Sequence, residues 1–387
     1  MKQKISIIGA GNMGTGIAQV AATYGACVTI IDTSQEAIKR SRASLHSVMN
    51  RLVDKEKLSP EESEAILSKI QWTSDIKSIA DSKLVIEAVI ENMEVKQKTF
   101  SDVESLVSND CIISTNTSSL SVGAIALSCS NLTRIMGIHF FNPVPLMKLV
   151  EVVPIEQTDS GLIENVKSTL QSWGKTVVIA KDTPGFIVNR VARPFYGEAL
   201  RIYDEGLADF ATIDWAMKEF GGFKMGPFEL MDYIGNDVNY NATESVYIGT
   251  NYNPRYKPSP IQKKMVDEGL LGRKSGQGYY DYSNGAAIPK PAADEESGKK
   301  IFKRILAMLI NEAADTLNLA IASRDDIDIA MTTGVNYPRG LLRWADEVGV
   351  DLIFQQLCKL KSDLGDGRYN PSPLLIRMVD EKRTFYA

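Results

Sequence analysis

The stretch Ile5-Ser6-Ile7-Ile8-Gly9-Ala10-Gly11-Asn12-Met13-Gly14 decides the fold. Its first four residues read as a buried strand, and the glycine pattern that follows opens a helix, expected over residues 15–23. Each glycine has a separate task. Gly9 permits the tight turn, Gly11 lets a pyrophosphate approach the backbone beside Asn12 and Met13, and Gly14 lets helix and strand pack closely. The helix N-terminus then faces the anion. A second strand, Val28–Ile31, ends at Asp32, where a carboxylate can bond an adenosine ribose hydroxyl. Thr33-Ser34-Gln35 after it offers no cation for a 2′-phosphate, so the cofactor expected is NAD rather than NADP.

Outward from this unit, short β-branched runs alternate with amphipathic ones as far as residue 181. Leu84–Val89, Ile112–Ser114, Ile135–Ile138 and Val177–Ala180 join the first two as strands apolar on both faces. Such strands indicate a mostly parallel, doubly wound sheet of the Rossmann type, an α/β domain over residues 1–182. Residues 35–70 are polar, with Ser59-Pro60-Glu61-Glu62 starting a second helix, and read as a helical hairpin standing away from the sheet. Asp182-Thr183-Pro184-Gly185 marks a boundary, after which the period is helical. The expected order is a helical domain at 183–282, a linker at 283–299 and a second helical domain at 300–387.

The last domain is a copy of the one before it. At an offset of 114, Ile213/Ile327, Asp214/Asp328, Met217/Met331, Gly226/Gly340, Asp232/Asp346, Gly235/Gly349 and Asp237/Asp351 coincide. Pro258-Ser259-Pro260 and Met265–Glu268 recur one residue out of that register, as Pro371-Ser372-Pro373 and Met378–Glu381. The fold class expected is therefore a Rossmann-type sheet domain followed by two tandem all-α domains.

Composition excludes several functions. The chain has 387 residues, 44% of them hydrophobic, and a net charge of −5, which argues against nucleic acid or an anionic membrane as the main partner. No run reaches the length of a membrane span, and no signal peptide precedes the first strand, so the expected location is cytoplasmic. The four cysteines lack CxxC spacing and only two histidines occur, so no metal site is expected. His46 lies in the polar hairpin. His139 stands at a strand end before Phe140-Phe141-Asn142-Pro143-Val144-Pro145, on the side of an α/β sheet that binds ligands, and is the acid/base candidate.

The chain resembles the L-3-hydroxyacyl-CoA dehydrogenases, 3-hydroxybutyryl-CoA dehydrogenases included, over residues 1–282. The likeness rests on Gly9–Gly14, Glu91-Asn92, Ser114–Leu120, His139–Pro143, Lys148–Val152 and Asp182–Arg190. It implies reversible NAD-linked hydride transfer between a 3-hydroxyacyl-CoA and a 3-oxoacyl-CoA, on a short chain, in fatty-acid metabolism. It further implies that His139 moves the hydroxyl proton, Glu151 fixes the imidazole, Ser118 meets the substrate oxygen and nicotinamide, and Asn189 holds the substrate carbonyl. Glu91, Lys96, Asn116, Asn142 and Lys274 would line the cofactor. Ser44 and Arg51, with Lys55 and Lys57 nearby, would meet coenzyme A, although Arg51 replaces a family lysine.

Taken singly, Ser118 could cap a helix, Asn189 could begin one and Glu151 could be an ordinary strand carboxylate. Rival functions are a free hydroxy-acid dehydrogenase of the same fold, of the L-gulonate type, and a non-catalytic nucleotide-binding protein. The second helical copy has lost the chemistry: Lys303 stands at the position of Asn189, and nothing after Glu381 repeats Gly272–Gly278. Residues 300–387 are therefore expected to dock on residues 184–282 in place of a second subunit, giving a monomer, with a homodimer as the other outcome.

Overall fold

The computed structural model describes residues 4–386, in two compact units that meet at Asp182 and Thr183. No helix among the described residues is long and apolar enough to cross a membrane.

The first unit carries one eight-stranded sheet: β1 Lys4–Ile8, β2 Cys27–Ile31, β3 Ile70–Thr73, β4 Leu84–Glu87, β5 Ile112–Thr115, β6 Ile135–Phe140, β7 Leu149–Pro154 and β8 Thr176–Ile179. Their order is β3-β2-β1-β4-β5-β6-β7-β8. Strands β1 to β6 are parallel, β7 runs antiparallel to β6, and β8 is parallel to β7. Helices α1 Asn12–Thr23, α2 Gln35–Asp54, α3 Pro60–Leu67, α4 Met93–Leu106, α5 Val122–Ala126 and α6 Ser160–Ser172 connect them. Strand order reverses between β1 and β4, which opens the ligand crevice of a doubly wound sheet beyond their C-terminal ends.

Three local differences from the sequence reading have physical causes. Helix α1 begins at Asn12, three residues early, so Gly14 lies inside its first turn. A Cβ there would stand 2.0 Å from the Gly9 carbonyl oxygen. The hairpin α2–α3 does not stand away: Ile38, Leu45, Met49 and Ile66 enter the same core as α1 and the sheet. The Ser41 hydroxyl joins Thr15 Oγ1 (2.7 Å) and accepts from Trp72 Nε1 (3.0 Å), pinning α2 to α1 and to β3. Strand β3, Ile70-Gln71-Trp72-Thr73, was not foreseen, and β7 around Glu151 was not counted among the sheet's strands.

The second unit comprises α7 Val188–Val191, α8 Arg193–Asp204, α9 Phe210–Gly221, α10 Pro227–Ile234, α11 Asn236–Gly249 and α12 Pro260–Asp267, then α13 Glu295–Asn318, α14 Arg324–Gly334, α15 Leu341–Val348, α16 Val350–Leu364 and α17 Pro373–Asp380. Helix α13 starts inside the stretch read as linker, because the Asp294 side chain accepts from Ser297 N–H at 2.8 Å and caps it. The repeat extends to single hydrogen bonds. Asp214 accepts from the amides of Phe228 and Glu229, and Asp328 from those of Leu342 and Arg343. Asp232 accepts from the amides of Tyr279 and Tyr280, and Asp346 from those of Phe385 and Tyr386. The second copy thus rejoins the pattern directly after the seven residues Gly272–Gly278 that it lacks.

The two copies pack about an internal twofold relation. Glu312 of the second copy accepts from Arg190 (3.0 Å), Arg255 (3.1 Å) and Tyr256 of the first. Glu198 of the first copy accepts from Arg304 (3.0 Å), Arg368 (3.5 Å) and Tyr369 (2.9 Å) of the second. Each contact has its reciprocal, which is the mark of an isologous interface, here within one chain.

Candidate active site

The cofactor end is built by the first turn after β1. Gly9 adopts φ +112°, and a Cβ on it would lie 2.5 Å from the Ala88 carbonyl oxygen at the end of β4. Gly11 is different, since a Cβ there meets no protein atom within 4 Å. The space it leaves is open to a ligand. Helix α1 has no side-chain cap, whereas α2 to α6 are capped by Ser34, Ser59, Asn92, Ser121 and Asp159. Its free N-terminal amides suit a pyrophosphate. Asp32 is held rigidly: Oδ2 accepts from Ala10 N–H (2.8 Å) and Oδ1 from Ser34 N–H (2.9 Å). A cavity of about 1070 Å³ runs past Gly9, Gly11, Asn12 and Asp32, and Ser44 and Arg40 also line it. Arg40 is a cation near Asp32 that the sequence reading missed, eight residues further on; Glu36 stands 3.8 Å from it. These residues fit NAD: an open anion turn, and a fixed carboxylate for a ribose diol.

The reacting end depends on β6 and β7. Strand β6 extends to Phe140, so His139 lies within it rather than after it, directly opposite Glu151 in the antiparallel register. Both side chains therefore leave the same face. His139 Nδ1 lies 2.7 Å from Glu151 Oε2, with His139 6% and Glu151 0% exposed. The Phe141 ring packs 4.5 Å from the imidazole. Asn116 Oδ1 accepts from Phe140 N–H (2.8 Å), tying the end of β5 to the histidine strand. Asn142 is exposed at the following turn, where its peptide bond to Pro143 is cis. Lys175 Nζ reaches the carbonyls of Val144 and Met147 across that turn, and burial pushes its ammonium down to about 8.

Ser118 sits in a loop held by the partly exposed Glu91 carboxylate, which pairs with the buried Lys96. Glu91 Oε1 accepts from Thr117 Oγ1 (2.5 Å), Ser119 Oγ (2.8 Å) and the Ser118 amide (3.2 Å). Burial alone would raise the Glu91 carboxyl, but the Lys96 ammonium and the Thr117 and Ser119 hydroxyls outweigh it and hold it below the usual range. Lys96, expected against the cofactor, is 1% exposed, with its ammonium 2.7 Å from Glu87 and 3.2 Å from Glu91. Its reach to a ligand runs through Glu91. Glu87 was missed, although a carboxylate inside Leu84-Val85-Ile86-Glu87 demands a buried partner. The Ser118 hydroxyl makes no hydrogen bond among the described residues, and the cap of α5 is Ser121, so Ser118 is not a helix cap.

In the second unit Asn189 lies in the four-residue helix α7, which follows a turn with Gly185 at φ +78° and Phe186 at φ +45°. It does not cap that helix. Lys274 is held by Asp237 at 2.7 Å, in the loop that the second copy lacks. Ser44, Arg51, Lys55 and Lys57 are all exposed on the hairpin. Ser44 and Arg51 are two turns apart on one face of α2, and Ser44 borders the same cavity as the cofactor residues.

Comparison with known proteins agrees in every part of the chain. The model of the 3-hydroxyacyl-CoA dehydrogenase NAD binding domain matches residues 4–183, and that of the C-terminal domain of the same family matches twice, at 185–282 and 301–385. A 3-hydroxyadipyl-CoA dehydrogenase of Escherichia coli (strain K12) is 36% identical over 96% of this chain and 96% of its own length. A probable 3-hydroxybutyryl-CoA dehydrogenase of Deinococcus radiodurans is 40% identical over 72% of this chain and 100% of its own. The crystal structure of 3-hydroxybutyryl-CoA dehydrogenase from Escherichia coli K12 matches with a TM-score of 0.93 at 34% identity, covering 98% of this chain and 99% of that one. With both family models matched and a full-length relative in hand, the chain belongs to the NAD-dependent 3-hydroxyacyl-CoA dehydrogenases.

Proposed function

We propose that the chain interconverts an (S)-3-hydroxyacyl-CoA and its 3-oxoacyl-CoA, on short acyl chains, in the cytoplasm, with His139 and Glu151 as the acid/base pair. The observation that carries this is the buried 2.7 Å contact between His139 Nδ1 and Glu151. Nε2, the other ring nitrogen, is the atom that would meet the substrate hydroxyl. In oxidation His139 takes the hydroxyl proton, and Glu151 stabilises the imidazolium that forms and keeps the ring oriented. The turn Gly9–Gly14 and Asp32 would hold NAD, which would supply the hydride acceptor for C3 of the substrate. Ser118, its hydroxyl otherwise unengaged, donates to the oxygen at C3, and Asn189 holds the substrate carbonyl; aligned neutral donors at developing oxyanion charge lower the barrier. Glu91 positions the Ser118 loop, and Lys274 and Asn142 complete the nicotinamide side. Ser44 and Arg51 meet coenzyme A.

The similar proteins named for 3-hydroxybutyryl-CoA and for 3-hydroxyadipyl-CoA share the reacting carbon and differ only at the far end of the acyl chain. The reading above requires only the shared part. The test is NADH oxidation with acetoacetyl-CoA beside free acetoacetate. Turnover of the thioester alone, lost in His139→Gln, is the expected result. Preference for the free acid would favour a hydroxy-acid dehydrogenase, and no turnover of either would favour a binding protein.

A further inference from the structure

Two lysines are buried among the described residues, Lys96 and Lys175. Lys96 has two carboxylates against its ammonium, Glu87 at 2.7 Å and Glu91 at 3.2 Å. Lys175 is 7% exposed and has no carboxylate within ion-pair distance among the described residues, and burial alone acts on its ammonium. An ammonium taken out of water without an opposite charge is costly. Its partners are instead two backbone carbonyls, Val144 at 2.5 Å and Met147 at 2.7 Å. Both belong to the link between the strands that carry His139 and Glu151.

That link is long. Strand β6 ends at Phe140 and β7 begins at Leu149, so eight residues, 141–148, join them. Hairpin loops have about two to five, and a link of this length does not fix its own course. Within it the Pro143 carbonyl accepts from the amides of Leu146 and Met147, which closes the tip on itself. Two further contacts tie it to the rest of the unit. Lys175, at the entry to β8, grips Val144 on the outgoing limb and Met147 on the returning one, and the amide of Thr176 beside it donates to the Lys148 carbonyl at 2.8 Å. On the other side lies α1: a Cβ on Gly16 would stand 3.0 Å from Val144 Cβ and 3.6 Å from Pro145 Cδ.

The link therefore joins the two ends of the site. It continues the histidine strand through Phe141, whose ring packs on the imidazole, and through Asn142. Its middle rests on the helix whose uncapped N-terminus suits a pyrophosphate. The separation between cofactor and acid/base residue is set along this path. Closing a surface turn does not call for a buried charge, since neutral donors and water serve. A charged donor makes hydrogen bonds about twice as strong as a neutral one, and this one holds both limbs at once.

We infer that Lys175, with the Gly16 seat on α1, is a positioning residue for hydride transfer: it fixes the 141–148 link and, through it, the placement of His139 and Asn142 relative to the nicotinamide. Its ammonium is engaged with backbone carbonyls, so it acts through the link and not on the substrate. This rests on the dehydrogenase reading above. A misplacement of about 1 Å in a step that depends on aligned reactants costs about 100-fold in rate.

The test is single-turnover NADH oxidation by the full chain at saturating acetoacetyl-CoA, with rates normalised to NADH-binding sites counted by fluorescence titration. Lys175→Met keeps the unbranched stem and removes both donated bonds. The rate per site is expected to fall at least about tenfold, with KM for acetoacetyl-CoA within about threefold of wild type. Gly16→Ala disturbs the same link from α1 by crowding Val144, and should slow the step in the same way. A purely structural role would lower the number of folded sites and leave the rate at each unchanged. A folded Lys175→Met protein with the wild-type rate per site therefore overturns the inference. Where that variant does not fold, Gly16→Ala decides, and its wild-type rate per site overturns the inference equally. Failure of the wild-type chain to oxidise NADH with acetoacetyl-CoA overturns the dehydrogenase reading instead.

Discussion

Replacing Glu151 with glutamine is the sharpest test of the acid/base pair. The substitution keeps shape and one oxygen acceptor and removes the charge. The carboxylate and imidazole approach to 2.7 Å between heavy atoms, and neither residue is more than 6% exposed, so solvent screens the pair weakly. With charge centres about 4 Å apart and an effective dielectric near 20, the attraction between carboxylate and imidazolium is about 4 kcal/mol. That attraction exists only once the histidine has taken the proton, so it belongs to the transition state and not to bound substrate. Its loss corresponds to roughly three decades in rate. Steady-state reduction of acetoacetyl-CoA by NADH should therefore show kcat about 100- to 1000-fold lower in Glu151→Gln, with KM for both substrates within a few-fold of wild type. A variant that keeps more than half of kcat, or whose loss falls on KM alone, would show that Glu151 is an ordinary strand carboxylate.

Glu91→Gln should lower kcat about tenfold with Glu87 and Lys96 intact, because it weakens the three-donor clamp behind Ser118 and leaves Lys96 one carboxylate short; wild-type kinetics in a folded variant would remove the clamp from the mechanism. Burial raises the Asp214 carboxyl to about 7, against the donors Phe228 N–H, Glu229 N–H and Tyr280 OH. The folded state then holds a proton that the unfolded chain has released, so this group's stabilisation is full below the carboxyl's ordinary value of 3.8 and is lost as pH rises through about 7. Melting temperatures between pH 5 and 8 should fall more steeply for wild type than for Asp214→Asn, and parallel curves would refute this. Glu312→Leu strands Arg190 and weakens the hold on Arg255, and should cost about 3–5 kcal/mol in denaturant unfolding. Sedimentation should find the full chain monomeric and the chain ending at Tyr282 dimeric or insoluble, since truncation exposes the interface around Glu198; a soluble, monomeric truncated form would sink the stand-in idea.

What could be read in the sequence was local. The strand, glycine turn and Asp32 lie within one short stretch, and their pattern needs no distant partner to be recognised. Pairings were hidden where they join residues far apart in the chain. The short strand β3 carries Gln71 and Thr73 among its four residues, so its pattern is too weak to stand out until β2 pairs with it. His139 and Glu151 face each other only because β7 turns back antiparallel on β6, and a shift of one residue in that register would put them on opposite faces. The motif suggested both residues but not their contact. Arg190 and Glu312 lie 122 residues apart, and their bond depends on the docking of two whole helical copies. Lys96 was placed at the cofactor by likeness, whereas its burial between two glutamates follows from Glu87 facing inward at the end of β4.

The repeat separates packing from function inside one molecule. Three shared polar pairs have a structural reason visible in both copies: Asp214 and Asp328 start helices, Asp232 and Asp346 hold the closing residues, and Glu198 and Glu312 bind the opposite copy. The copies differ in both directions: at Gly197/Asn311, Ile202/Thr316 and Phe223/Tyr337 the second copy is the polar one, and at three other buried positions the first is. Asn236, Asn239 and Gln262 form a buried network, Gln262 donating to both asparagines, while Val350, Ile353 and Leu375 fill those positions in the second copy without a polar atom to satisfy. Burying amides gains little over burying aliphatic groups even when every bond is made. Stability therefore does not explain the amides, and the second copy shows that the fold does not need them. The first copy also has Asn189, Arg193 and the Lys274 loop, and the second has none of them. The polar interior goes with the half of the repeat that carries Asn189 and the Lys274 loop, and it frames α11, whose Asn239 carbonyl accepts from the Arg193 guanidinium.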